Sequence, residues 1–201
     1  RTLGACSDCR FFWQEYRGEK VNDKEINEIN KALAPTAGHC MVMGSASTMA
    51  VCAEAMGMML PGGAAIPATH NRRLEHAVQT GKQIVELVKK NITPSQIITR
   101  KSLENAIRML MAVGGSTNAV IHLIAIAGRL NIRLPLELFD VLSRTTPFIA
   151  NLRPAGKFQM EDFFKAGGAP VVLKELETLL HTEELTVTGK SLRENLRDVK
   201  C

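Results

Sequence analysis

Apolar residues recur at spacings of three and four through most of the 201-residue chain, and prolines and glycines interrupt them at intervals. This spacing places apolar side chains on one face of a helix, and the interruptions end each helix. It predicts helices over residues 26–33, 45–60, 73–90, 101–113, 118–130 and 134–146, and from Pro170 onward. Two other segments favour extended structure, residues 148–154 and the period-two pattern of residues 184–192.

The predicted helix over residues 73–90 has a broad apolar side. Six residues form it: Leu74, Ala77, Val78, Ile84, Val85 and Val88. We expect this side to face the core of the domain. Apolar faces this broad on several helices indicate packing against more protein than the chain contains. We therefore expect a homo-oligomer, either a dimer or a tetramer.

Composition and charge exclude several classes of protein. Apolar residues make up 45% and charged residues 22%, which is typical of a globular protein, and no uninterrupted apolar run has the ~18–20 residues of a membrane span. The net charge is +5, but one Trp, one Tyr and seven Phe form no aromatic platform for nucleic acid. Without a secretory signal pattern, the five cysteines indicate reduced thiols in the cytoplasm.

The segment GHCMVMGSASTM, residues 38–49, places Cys40 in a loop of small residues ahead of a predicted helix. The free amides and the positive dipole end of that helix favour a thiolate, which is the form that binds metal or attacks carbon. Gly38 and Gly44 let the backbone bend around a large group. The alternative is that Cys40 is a small buried hydrophobic residue.

The remaining cysteines and histidines show weaker patterns. Cys6 and Cys9 have C-x-x-C spacing, but no second pair accompanies them, so we interpret them as incidental thiols. Cys52 falls on an apolar helix face and is predicted to lie in the core. The histidines at 39, 70, 76, 122 and 181 lack metal-ligand spacing, and His122 is predicted to be a core residue. The acidic pair at 161 and 162 is predicted to cap a helix start.

The segment GGSTNA, residues 114–119, is the second candidate site. Ser116, Thr117 and Asn118 combine polar side chains with the free amides of a helix start, which can bind a carboxylate or phosphate. The segment lacks the lysine of a phosphate-binding P-loop, so a nucleotide site is not predicted. The alternative is a tight turn between two packed helices.

Four segments together resemble a known family: residues 38–68, 112–129, 151–176 and 185–196. In this order they are similar to consecutive blocks of the dihydroxy-acid and sugar-acid dehydratases, which include dihydroxy-acid, phosphogluconate and pentonate dehydratases. The resemblance implies an α/β fold. It makes residues 1–182 the later part of an N-terminal α/β/α domain that binds an iron–sulfur cluster, mainly helical in this piece. Residues 183–201 would start a C-terminal β-barrel-like domain, so the chain would be internal to a longer protein.

The resemblance also implies a role for Cys40 as one of three thiolates that hold a [2Fe–2S] cluster, with [4Fe–4S] as the alternative. One iron would keep an open position and act as a Lewis acid, beside a Mg²⁺ ion. The other two cysteines, the magnesium ligands and the serine base would lie outside this chain. We therefore expect no catalytic residue within the chain, and we expect the isolated piece to be inactive. Cys6 and Cys9 match no cluster ligand of the family.

The implied reaction is removal of water from a 2,3-dihydroxy acid. The stretch that follows Cys40 resembles the sugar-acid branch, which predicts a polyhydroxy carboxylate such as arabinonate or xylonate as substrate and a 2-keto-3-deoxy acid as product. One alternative is dihydroxy-acid dehydratase of branched-chain amino-acid biosynthesis. The other is a helical interaction module without activity.

Overall fold

The structure is a computed structural model that describes residue 3 and residues 7–33 and 36–201. We number its helices α1 (Ser7–Arg17), α2 (Asp23–Leu33), α3 (Ser45–Ala55), α4 (Arg72–Lys89), α5 (Pro94–Ile97), α6 (Arg100–Ala112), α7 (Asn118–Arg129), α8 (Leu136–Thr145), α9 (Met160–Lys165), α10 (Ala169–Glu175) and α11 (Leu192–Leu196). A 3-10 turn, Glu177–Leu179, follows α10. Within the described residues, none of the helices is both long and apolar enough to span a bilayer.

Side-chain caps explain where several helices begin. At the start of α6, the Ser102 amide donates to Thr99 Oγ1 over 3.1 Å, while the Thr99 amide donates to Ser102 Oγ over 2.9 Å. Before α9, the amide of Gln159 donates to Asp162 Oδ2 over 2.9 Å. The prediction that the acidic pair caps a helix start is thus confirmed for Asp162.

Two apolar clusters meet along the packed pair α3 and α6. One cluster joins α3 to α9, α10 and α11, and the other joins α6 to α7 and α8. Cys52 is fully buried in the second cluster, and its thiol donates to the carbonyl of Ala106 over 3.5 Å. Its predicted core position is confirmed. Burial raises the pKa of this thiol to about 12, so it stays neutral.

The helix predicted over residues 45–60 is shorter than expected, because α3 ends at Ala55. The amide of Met56 closes the last turn on the carbonyl of Cys52, and Gly57 then adopts a φ of 82°. This left-handed conformation turns the chain out of the helix. A Cβ at Gly57 would lie 3.0 Å from the carbonyl oxygen of Leu185, so the residue also allows a close backbone approach.

The expected β structure is reduced to isolated bridges in the part of the chain that is described. Leu152 pairs with Phe158, and Leu185 pairs with Ser191. The mainly helical character is confirmed, whereas the start of a β-barrel-like domain is not shown. Residues 183–201 instead pack on the helical core through α11, and Val187 donates its amide to the carbonyl of Gly57 over 2.8 Å. The domain boundary at residues 182 and 183 stays a prediction.

The prediction that the apolar side of α4 faces the core is wrong. Leu74 is 75% exposed and Val88 is 72% exposed, and the other four apolar residues of that side also face outward. The opposite side of α4 makes the contacts: Leu87 is buried, and the Gln83 side-chain amide donates to the carbonyl of Val187 over 2.7 Å. A periodic pattern shows that a face is apolar, but not that this chain covers it.

The predicted core position of His122 is also wrong, because the side chain is exposed. Helix α7 buries Ala119, Leu123 and Ala127, which follow each other at intervals of four residues. His122 precedes Leu123 by one position, and this places it off the buried line.

Candidate active site around Cys40

Cys40 is half-buried in the wall of a cavity of about 570 Å³. Three segments that are distant in sequence line this cavity: residues 36–41, residues 65–70 together with Arg73, and residues 159–161. We call it the Cys40 cavity. Cys40 is thus not fully buried, while its role as a ligand stays a prediction.

Backbone hydrogen bonds fix the loop that carries the thiol. The amide of Met160 donates to the carbonyl of Met41 over 2.9 Å, and the amide of Met43 donates to the carbonyl of Arg153 over 2.7 Å. From the first turn of α3, Ser47 Oγ donates to the carbonyl of Val42 over 2.8 Å. None of these bonds uses the sulfur, so the loop holds its shape while the thiol remains available.

The two predicted loop glycines have distinct roles. Gly38 has a φ of 113°, and a Cβ there would lie 2.8 Å from the Cβ of Ala68, so the two walls of the cavity touch at this point. Gly44 directly precedes α3, and a Cβ there would lie 3.5 Å from Cys40 Sγ. The sulfur thus lies beside the start of α3.

Two residues of the cavity wall were missed by the sequence reasoning, His70 and Arg73. The Arg73 guanidinium donates to the carbonyl of Ile66, and His70 Nδ1 accepts the amide of Arg72 over 3.2 Å. The sequence signal for both residues is the basic stretch at the start of α4, and nothing in its spacing indicates contact with a loop about thirty residues earlier. Arg73 brings a permanent positive charge to the wall, which suits an anionic ligand.

The buried carboxylate of Glu54 supports another part of the wall. It is 4% exposed and accepts the amides of Gly62 over 2.6 Å and of Ala64 over 3.0 Å. Burial raises its pKa to about 7, and these two amides oppose the rise. The loop that they anchor continues directly into the segment 65–70 of the cavity. Sequence reasoning missed Glu54, although it is the sole acidic residue of α3.

The second candidate segment lies next to α3 but does not line the Cys40 cavity. The side-chain amide of Asn118 donates to Ser45 Oγ over 2.7 Å, and the hydroxyls of Ser45 and Ser116 are 3.2 Å apart. Thr48 Oγ1 accepts the amide of Ser116 over 3.0 Å. Thr117 is exposed at the start of α7. The contacts of Ser116 and Asn118 fit the alternative of a tight turn between packed helices, and an anion site there stays a prediction.

A side chain at position 115 is expected to destabilise this turn. A Cβ there would lie 2.6 Å from Thr48 Cγ2 and 2.8 Å from Leu110 Cδ1. We expect Gly115→Ala to lower the free energy of unfolding by about 1–3 kcal/mol through overpacking. Gly128→Ala is the matched control, because its Cβ meets nothing within 4 Å, and a gain of about 0.5–1 kcal/mol is expected. Urea denaturation measures both, and equal values for the two variants would contradict this account.

The Cys40 cavity can supply one ligand of a metal centre, but it does not supply a complete set of ligands. In the described parts of the chain, no three His, Cys, Asp or Glu side chains converge to hold a metal ion. Cys40 supplies a single sulfur, which is the donor that iron–sulfur clusters use. Further ligands would have to come from beyond the described residues. Cys6 lies outside those residues, while Cys9 lies in α1 and is half-buried.

Comparison with known proteins decides the family. Residues 2–195 match the family model described as dihydroxy-acid/6-phosphogluconate dehydratase N-terminal. The chain belongs to this family. The resemblance seen in the four sequence blocks is therefore confirmed, and the helical architecture is that of the N-terminal domain of such a dehydratase.

The relatives that this chain matches carry a consistent name. The chain is 48% identical over 177 residues to a dihydroxy-acid dehydratase of Ignicoccus hospitalis, covering 87% of this chain and 32% of the relative. It is 46% identical over 183 residues to one of Caldanaerobacter subterraneus, covering 90% and 33%, and 44% identical over 187 residues to one of Saccharolobus solfataricus, covering 92% and 34%. The chain thus spans about a third of the length of these relatives.

Proposed function

We propose that the protein containing this chain removes water from a branched-chain 2,3-dihydroxy carboxylic acid and forms a 2-keto acid, as a hydro-lyase of branched-chain amino-acid biosynthesis. The observation that carries the proposal is identity of 44–48% to proteins named dihydroxy-acid dehydratase over 87–92% of the chain. This identity favours the branched-chain alternative over the sugar-acid substrate that the stretch after Cys40 predicts.

The reaction needs two events at neighbouring carbons. A base removes the proton on C2, the hydroxyl on C3 leaves as water, and the resulting enol tautomerises to the 2-keto acid. Hydroxide is a poor leaving group, and an iron–sulfur cluster, when bound, supplies a Lewis acid that stabilises the developing charge. The cluster, Mg²⁺, the cytoplasmic location and a homo-oligomer remain proposals for this protein.

Residues of this chain are suited to the binding part of that reaction. Cys40 offers its sulfur as one cluster ligand at the wall of the cavity, and Arg73 gives the same wall a positive charge that attracts a carboxylate. The backbone bonds of Met41 and Met43 fix the loop directly after the thiol. Thr117, with Ser116 and Asn118, remains a candidate for a second anion contact at the start of α7.

A substrate panel tests the proposal on the full-length protein purified without oxygen. It should contain 2,3-dihydroxy-3-methylbutanoate, arabinonate, xylonate and 6-phosphogluconate, with formation of the 2-keto acid as readout. We expect the branched acid to have a kcat/KM about 100-fold above that of the aldonates, in the range that pocket contacts achieve. Faster turnover of an aldonate would restore the sugar-acid interpretation. No turnover of any compound would favour the interaction module.

A further inference from the structure

Two segments that line the Cys40 cavity are both tied to helix α3, by side chains seven positions apart. From one end of the helix, Ser47 Oγ donates to the carbonyl of Val42, two residues after Cys40, over 2.8 Å. From the other end, the carboxylate of Glu54 accepts two amides of the loop that leads to the opposite wall. Seven residues make about two helical turns, so both side chains leave α3 on the same side, about 10 Å apart along its axis. Helix α3 therefore holds the thiol loop and the opposite wall together.

The loop that Glu54 holds leads directly to the contact of Arg73. The amides of Gly62 and Ala64 donate to the carboxylate, and two residues later the carbonyl of Ile66 accepts the Arg73 guanidinium. Ala64 and Ile66 are each only 2% exposed. Because this short stretch of chain is packed, a shift of the two amides also moves the carbonyl that holds Arg73. The position of the Arg73 charge in the cavity wall therefore depends on Glu54.

The two amides require a side chain that accepts on both of its terminal atoms. An ionised carboxylate does so, whereas glutamine would turn a donor NH₂ group toward one of the amides. Burial and these two amides account for the shift in the pKa of Glu54, and no cation among the described residues contributes to it. A buried carboxyl is unfavourable in itself. The structural result of keeping one here is that the loop is fixed at two points.

The fixed charges of the lining make Arg73 the group that an anionic ligand would meet. Arg73 carries a permanent positive charge. The lining also contains the carboxylate of Glu161, but Lys165 Nζ lies 2.8 Å from it and offsets its charge. A small carboxylate in the cavity is therefore attracted by Arg73 only as long as the loop keeps this guanidinium in the wall.

We infer that Glu54 is a positioning residue of the Cys40 cavity: by holding the loop at Gly62 and Ala64, it places Arg73 where a carboxylate ligand meets its charge. Glu54 does not line the cavity itself, so it acts through Arg73 and touches no ligand. The inference rests on the proposed function in one respect, which is that the Cys40 cavity is taken as the place where the substrate acid binds. Its test therefore measures the charge of the cavity without any turnover of substrate.

Alkylation of Cys40 in the full-length protein, after removal of iron, measures the charge that an anion meets in the cavity. Iodoacetate and iodoacetamide have nearly the same size, and only iodoacetate is charged. Both react with the thiolate, so the ratio of their rates at Cys40, followed by peptide mass analysis, does not depend on the fraction of thiolate. At pH 8 we expect this ratio to exceed that of 2-mercaptoethanol about 3–10-fold, as one nearby charge does, and Arg73→Gln should abolish the excess.

Glu54→Gln decides the inference, because its two conceivable effects on this ratio are opposite. Removal of a negative charge near the cavity would by itself favour the anion and raise the ratio. Loss of the loop anchor displaces Arg73 instead, so we expect the ratio to fall to the value of Arg73→Gln. The double variant should equal Arg73→Gln alone, since both changes remove the same effect. Glu86→Gln, which removes an exposed carboxylate of α4, is the control and should keep the parent ratio.

Several outcomes would overturn the inference: a Cys40 in the parent that shows no preference for iodoacetate or reacts with neither reagent, a ratio that is kept or raised in Glu54→Gln, or additive losses in the double variant. If Glu54→Gln does not fold, Glu54→Asp takes its place. Aspartate keeps the charge and both acceptor oxygens but withdraws them by about 1.5 Å, so the ratio should fall as well. An unchanged ratio in this variant contradicts the inference.

The alkylation ratio and the substrate panel separate this inference from the proposed function. If no acid of the panel is turned over while the ratio falls in Glu54→Gln, the proposed function is wrong and the positioning role of Glu54 stands. If the branched acid is turned over while the ratio in Glu54→Gln stays at the parent value, only the positioning role is wrong.

Discussion

Replacing Cys40 with serine in the full-length protein is expected to abolish the visible absorbance of an iron–sulfur cluster together with dehydratase activity. Serine keeps the size of the side chain but removes the thiolate that iron prefers. The loop should keep its shape, because its hydrogen bonds run through Met41, Met43 and the hydroxyl of Ser47 rather than through the sulfur. Absorbance spectra, bound iron and 2-keto acid formation measure the loss, and an unchanged melting temperature of the metal-free protein shows that folding is intact.

Cys9→Ser is the control for this experiment, because it removes a thiol of the C-x-x-C pair that we interpret as incidental. This variant should keep full absorbance and activity. If Cys40→Ser also kept both, Cys40 would not be a cluster ligand. If Cys9→Ser lost the absorbance, the C-x-x-C pair would be a ligand and its interpretation as two incidental thiols would be wrong.

Glu54 is expected to make the stability of the fold depend on pH. Its pKa is about 7 in the folded state, above the ordinary value of 4.5. Below about pH 4.5 the carboxyl is protonated in both states and has no effect. As the pH rises toward 7, only the unfolded state releases the proton, so the free energy of unfolding falls. The loss is about 3 kcal/mol in total and is complete above about pH 7.

Denaturation with urea at several values between pH 4.5 and 8 measures this effect as the difference between the parent and Glu54→Gln. Glutamine cannot ionise, so the free energy of unfolding of this variant should not show the fall between pH 4.5 and 7 that Glu54 causes. Glu75→Gln, at an exposed position of α4, should keep the full dependence of the parent. Identical pH profiles for the parent and Glu54→Gln would show that the buried carboxyl does not titrate as described.

The periodic pattern predicted most helices because it depends on local geometry alone. Helices α6, α7 and α8 lie within one or two residues of the predicted segments, and the cap at Asp162 was predictable from residue types. The end of α3 was not, because the residues up to 60 remain apolar while Gly57 turns the chain where it meets Leu185. That contact joins residues far apart in sequence.

The candidate site was only partly predictable for the same reason. Cys40 was recognisable from its own loop and from the family blocks around it. His70 and Arg73 join it only when the loop before α4 folds over residues 36–41. The hydrogen bond between the side chains of Asn118 and Ser45 joins residues 73 positions apart, and no local pattern indicates it.

The sequence by itself determined most of the helical segments, the family and the position of the Cys40 thiol in a loop before a helix, because each depends on residue type and spacing within a short stretch. Only the tertiary structure decided that α4 turns its apolar side outward, that Glu54 is buried and accepts two backbone amides, and that Arg73 lines the same cavity as Cys40. Those features depend on which surfaces meet. An amphipathic pattern specifies that a face avoids water, while the packing of the whole chain selects the surface that covers it.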